Sequence, residues 1–94
     1  MARRRFLIEY DIRDPKRLRQ VCKVTERYGE RLQYSVFVCD LSSTERVHAR
    51  ADMERTMLMS EDSVVIVDLG EVADARFELL GQRRPLPRTG ARIL

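Results

Sequence analysis

Arg31-Leu-Gln-Tyr-Ser-Val-Phe-Val-Cys-Asp40 is the stretch whose reading decides the fold. It sets Leu32, Tyr34, Val36 and Val38 against Gln33, Ser35 and Phe37, the period-two alternation of a strand with two unlike faces. Taken on to Leu41 it is long for one strand and bends easily at Tyr34-Ser35. We read a tight hairpin centred there, with a single bent strand as the alternative. Upstream, Phe6-Leu-Ile-Glu-Tyr-Asp11 signals another strand, about Arg5–Tyr10, whose apolar run ends on one acidic side chain, Asp11. A lone carboxylate at a strand end is a candidate metal ligand. Between the two segments, Asp14-Pro15 opens a helix and Gly29 stops it. The order β, α, β follows.

Working outward, Asp14 is the N-cap of helix one and Pro15 its first helical residue, and the helix is expected to run to Tyr28. Leu18, Val21, Cys22 and Tyr28 form its apolar stripe. Lys16, Arg17, Arg19, Lys23 and Arg27 form a cationic face for water or an anion. Ser42-Ser43-Thr44-Glu45 fits a capping box, so helix two begins at Ser42 or Ser43 and is expected to end near Met59. Its stripe reads as Val47, Ala51 and Leu58, with Met53 and Met57 alongside as adaptable core. Val64-Val-Ile-Val-Asp-Leu69 is a continuous apolar run, the pattern of a strand covered on both faces or paired inside a sheet. In Ala75–Leu80, Phe77 and Leu79 alternate with Arg76 and Glu78, which marks a further strand candidate. From Gly81 the chain reads as a basic, unstructured tail, so residues 1–80 form the domain and 81–94 the tail.

The resulting order, β-α-β-β-α-β with one extra C-terminal strand, is an α+β, ferredoxin-like arrangement with two helices on one face of an antiparallel sheet. The other face lacks cover in a chain of only 94 residues. Such a chain is expected to pair with itself as a homodimer.

A composition of 44% hydrophobic and 35% charged residues belongs to a folded domain with a heavily ionised surface. The formal charge of +3 is unevenly spread. Residues 1–31 carry 10 Lys/Arg against 5 Asp/Glu, residues 32–80 carry 4 against 10, and residues 81–94 carry 4 against none. Basic ends suit a phosphate backbone, and a solvated basic surface is the alternative. Met1-Ala-Arg-Arg-Arg looks like the start of a secretory signal, but Glu9 and Asp11 break the apolar stretch after it. No segment reads as membrane-spanning. Cys22 and Cys39 form no CxxC motif and, with His48, supply too few ligands for zinc. Reduced, mostly buried thiols in a cytoplasmic protein are expected.

Tyr10-Asp11-Ile12, Asp14-Pro15-x-Arg17-Leu18, Tyr28-Gly29-x-Arg31-x-Gln33-x-Ser35-Val36-Phe37 and Glu61-Asp62-Ser63-Val64 before an apolar strand together resemble the Cas two family, the small CRISPR-associated proteins of spacer acquisition. The resemblance covers roughly residues 5–80. It implies a homodimer whose last strand pairs with the partner's sheet, and a dimeric DNA-binding adaptor for the Cas one integrase. Some relatives also cut single-stranded RNA or double-stranded DNA with magnesium, held across the dimer axis by the aspartate corresponding to Asp11. One position departs from the pattern. Many relatives carry Glu after the Phe of Ser-Val-Phe, where this chain has Val38 and offers Asp40 two residues on.

The residues set the chemistry that this implies against simpler roles. Magnesium, or manganese in its place, takes one or two carboxylates and completes its shell with water and phosphate oxygens, so two copies of Asp11 could form a sparse catalytic site. The alternative is that Asp11 caps the loop into helix one. Asp14 is a structural cap. Arg17 and Arg31 are candidates to hold a nucleic-acid phosphate in a bidentate fork beside Asp11, and a salt bridge is the competing account. Phe37 and Tyr34 read as interior or interface aromatics, and His48 as a surface residue. The alternative functions are a metal-dependent endoribonuclease and a generic nucleic-acid-binding module of this fold.

Overall fold

In the computed structural model, which describes residues 2–81, the chain runs β1 (Arg4–Asp11), α1 (Pro15–Glu26), β2 (Glu30–Gln33), β3 (Val36–Leu41), α2 (Ser43–Thr56) and β4 (Ser63–Glu71). The strands form one antiparallel sheet in the order β2-β3-β1-β4. The hairpin is the reading that holds: β2 and β3 are joined through Tyr34-Ser35, and Tyr10 N donates to Ser35 O at 3.2 Å, tying the turn to β1.

Alternation divides the sheet. Phe6, Ile8 and Tyr10 of β1 and Phe37, Cys39 and Leu41 of β3 meet Val21 and Val24 of α1 and Ala49 and Met53 of α2 in a single core. Arg5, Leu7, Glu9 and Asp11, with Val36, Val38 and Asp40, occupy the opposite face, to which neither helix packs. β4 is an edge strand. Its Val65 and Val67 are 52% and 41% exposed on that open face, so of the two readings of Val64–Leu69, two-sided cover is not met among the described residues, and pairing in the sheet is present on one side, with β1.

α1 starts as its cap requires, with Asp14 accepting from Arg17 N at 2.9 Å and Pro15 following. It stops at Glu26, two residues short of Tyr28. Gly29 then passes so close to β3 that a Cβ there would lie 2.3 Å from Cys39 Sγ and 2.4 Å from Val38 O. The glycine is needed for that approach and not for a left-handed turn. α2 shows the full capping box between Ser42 and Glu45. It ends at Thr56, because the chain turns out to bring Leu58 N onto the Asp62 carboxylate at 2.8 Å.

The α2 stripe is rotated from the one expected. Ala49 and Met53 are buried while Val47 is 59% exposed. Arg46 lays its guanidinium over the Phe6 ring at 5.5 Å, so a charged residue covers core that an apolar count assigns to Val47. Ala75–Leu80 forms no strand within the single chain. Of the expected tail only Gly81 lies among the described residues.

Candidate metal and nucleic-acid site at the end of β1

Asp11 is the last residue of β1, opposite Ser63 of β4, and it is exposed. It stands at the end of the open sheet face. Among the described residues its carboxylate accepts no hydrogen bond and joins no ion pair.

The loop into α1 has other acceptors. Asp14 takes Arg17 N, and Asp62 takes Arg13 N at 2.9 Å from across the sheet edge. The capping role weighed for Asp11 is therefore filled by Asp14 and Asp62. Asp62 is the busier of the two. Its side chain is fully buried and also accepts from Leu58 N, from Arg17 Nε at 2.8 Å and from Arg17 Nη2 at 3.1 Å. The Arg17 guanidinium, helped by the Arg13 and Leu58 amides, holds this carboxyl far below the usual carboxylate range. Asp62 in turn raises Arg17, whose Nη2 also reaches Glu61 at 3.1 Å. Of the two accounts of Arg17, the salt bridge is the one the structure shows.

Arg31 lies on β2 and faces the helices. Its guanidinium sits 5.7 Å from the Phe37 ring centroid, Nη2 donates to Cys22 Sγ, and Nε is buried without a partner. Burial, and then contact with Cys22, pushes the neighbouring Tyr10 phenol up. The fork expected of Arg17 and Arg31 around Asp11 is thus not assembled in one chain, since one arginine is tied to Asp62 and the other faces away across the sheet.

Asp40 does not replace the carboxylate missing at Val38. It shares that face, but Arg5, only 4% exposed, holds it in a bidentate bridge with Nε and Nη2 at 2.7 and 2.9 Å. Arg5 and Asp11 are also six positions apart on β1, roughly 20 Å at the rise of an extended strand. No group of three or more His, Cys, Asp or Glu side chains is placed to hold a metal among the described residues. Among the described residues Asp11 and Glu9, two positions back on the same face of β1, both lack a hydrogen bond or ion pair; Asp11 is the one at the strand end, a donor that suits a hard, mostly hydrated divalent ion.

Other features do not follow from sequence reasoning. Asp62 looks like a turn residue, and only its packing against Arg17 and two amides reveals the knot. Tyr34 is 73% exposed at the hairpin tip, which overturns the interior alternative weighed for it and not the interface one. Cys39 is buried, which pushes its thiol up to about 12, whereas Cys22 is partly exposed. No helix among the described residues is long and apolar enough to cross a membrane.

Comparison with known proteins gives this geometry a context. The family model for CRISPR associated protein Cas2 matches residues 4–76. The chain is 39% identical over 83 residues to CRISPR-associated endoribonuclease Cas2 1 of Rhodospirillum rubrum, covering 86% of this chain and 81% of that protein. It is 33% identical over 82 residues to CRISPR-associated endonuclease Cas2 of Halalkalibacterium halodurans, covering 82% and 85%. The crystal structure of Streptococcus pyogenes Cas2 superposes with a TM-score of 0.72 at 34% identity, covering 82% of this chain and 99% of that one. Matched along β1, both helices and the sheet that ends on Asp11, the chain belongs to the CRISPR-associated protein Cas2 family.

Proposed function

We propose that this protein serves CRISPR spacer acquisition in the cytoplasm as a homodimeric adaptor holding DNA for the Cas one integrase. We propose further that it hydrolyses phosphodiester bonds with magnesium, or manganese in its place, bound by Asp11. The observation that carries the nuclease reading is the state of Asp11 itself. It is exposed at a strand end and has no partner among the described residues, while the neighbouring carboxylates, Asp14 and Asp62, do the structural work of the same junction. A bound magnesium ion supplies a Lewis acid and an activated water. Asp11 holds it, and a second copy across the open face doubles the carboxylate count to the one or two that magnesium takes.

Dimerisation has its own support. Val65 and Val67 are half-exposed on the sheet face that neither helix covers, and among the described residues the outer edge of β4 has no strand partner. A second copy supplies both, including its Ala75–Leu80 segment as the missing strand. Light scattering after size exclusion should give twice 11.1 kDa; a mass near 11.1 kDa at micromolar concentration would contradict the proposal.

The relatives named endoribonuclease and endonuclease favour nucleic-acid cleavage without choosing RNA or DNA. The test is a cleavage assay on labelled single-stranded RNA and duplex DNA, with and without magnesium. Asp11→Asn should abolish magnesium-dependent cleavage and leave the dimer intact. Equal cleavage by the variant would remove Asp11 from the chemistry.

A further inference from the structure

A second feature lies across the sheet from Asp11. Tyr10 and Asp11 are consecutive on β1 and so point to opposite faces. Tyr10 forms the floor of a cleft of about 250 Å³ between α1 and the β2–β3 turn, lined also by Leu18, Arg19, Lys23, Arg31 and Tyr34.

The chemistry of the lining is consistent in one direction. Arg19 and Lys23 are exposed, and neither makes a hydrogen bond or ion pair among the described residues. Arg31 has a buried Nε with no partner, and its Nη2 donates to the weakly accepting Cys22 thiol. Glu26 acts on Arg31 from nearby, as does the Tyr10 phenol, and neither leaves the cleft acidic. Three cations surround a surface made largely of ring and alkyl carbon. Tyr34 stands at the rim, 73% exposed, where its ring face is open to a ligand.

We propose that this cleft binds one unpaired nucleotide of a single-stranded nucleic acid, with its base stacked on Tyr34 and its phosphate held by Arg19, Lys23 and Arg31. The inference rests on the nucleic-acid reading above and adds a strand preference to it. A cleft below the roughly 300–1,000 Å³ of sites that engulf whole small molecules accepts one unit of a longer ligand. A duplex keeps each interior base covered by its stacked neighbours, so Tyr34 finds a free base face only on an unpaired nucleotide. The cleft and Asp11 share one end of β1, on opposite faces of the sheet.

The test is fluorescence anisotropy of a labelled single-stranded oligouridine and of a blunt DNA duplex of equal length, with the full chain. Tyr34→Ala should weaken single-strand binding roughly five- to hundredfold, the range of a lost base stack, and change duplex binding less than twofold. Tyr34→Phe should restore it. Arg19→Ala and Lys23→Ala should each flatten the slope of log K against log salt for the single strand by about 0.7. All three side chains are exposed, and unchanged thermal melting of each variant checks the fold. Unchanged single-strand affinity in Tyr34→Ala overturns the proposal and leaves the cleft to a protein partner. Equal weakening of single strand and duplex overturns it as well. A wild type that binds duplex alone refutes the cleft but not the adaptor role, and a wild type that binds neither refutes both.

Discussion

Asp62 and Asp11 sit at the same end of the sheet and differ in almost every physical respect. Asp62 is buried and receives donors from three separate segments: the β1–α1 loop through Arg13 N, α1 through Arg17, and the chain leaving α2 through Leu58 N. Asp11 is exposed and receives none among the described residues. A carboxylate that knits three segments together is explained by the fold. One left open at a strand end by its neighbours' hydrogen bonds is not, and that difference is what supports Asp11 as the proposed metal ligand.

The largest effect expected from breaking this contrast is at Asp62. Asp62→Ala removes four hydrogen bonds and leaves Arg17 without its main partner, so the loss of stability should exceed the roughly 1 kcal/mol of a lost N-cap. Thermal melting followed by circular dichroism measures it. A variant that melts with the wild type would show that the knot does not hold the junction.

The same carboxyl should govern the acid limb. Its folded pKa lies below the ordinary 3.8, so the stabilisation is complete above that value and is lost as pH falls toward the folded pKa. Stability should therefore decline below about pH 4, and the decline should be shallower in Asp62→Asn. Parallel acid limbs in urea titrations of the two proteins would assign the effect to other carboxylates.

Asp14→Ala should be intermediate, at about 1 kcal/mol for its single bond to Arg17 N. Asp11→Asn should have the smallest effect on stability, within about 0.5 kcal/mol, because no hydrogen bond or ion pair among the described residues is lost. If Asp11→Asn destabilised as much as Asp14→Ala, the comparison between open and occupied carboxylates would fail.

The legible parts of the molecule are those set by local chemistry. Asp14-Pro15, the Ser42–Glu45 capping box and the Tyr34-Ser35 turn specify their own backbone geometry, and each appears where the sequence places it. Asp11 as a strand-end carboxylate is legible for the same reason. What the sequence conceals depends on contacts between distant residues. Arg17 is cationic wherever it points, and only its proximity to Asp62, 45 positions on, turns a phosphate candidate into a structural brace. The rotated stripe of α2 is hidden because Arg46 takes a place over Phe6 that periodicity reserves for an apolar side chain. Val64–Leu69 reads as a strand covered on both faces or paired inside a sheet, and it is paired on one side, at the edge of the described sheet, since an apolar run records that a surface is buried without saying whether its own chain buries it. That residue pattern agrees with the proposed dimer.

The account stands most directly on a count of manganese ions. Electron paramagnetic resonance of manganese(II) titrated into the wild type and Asp11→Asn reports bound metal without requiring cleavage. We predict one ion for every two wild-type chains, shared by the two copies of Asp11, and loss of that site in Asp11→Asn. Undiminished binding by the variant, or one full ion per wild-type chain, would contradict the assignment of Asp11 as a ligand shared across a dimer.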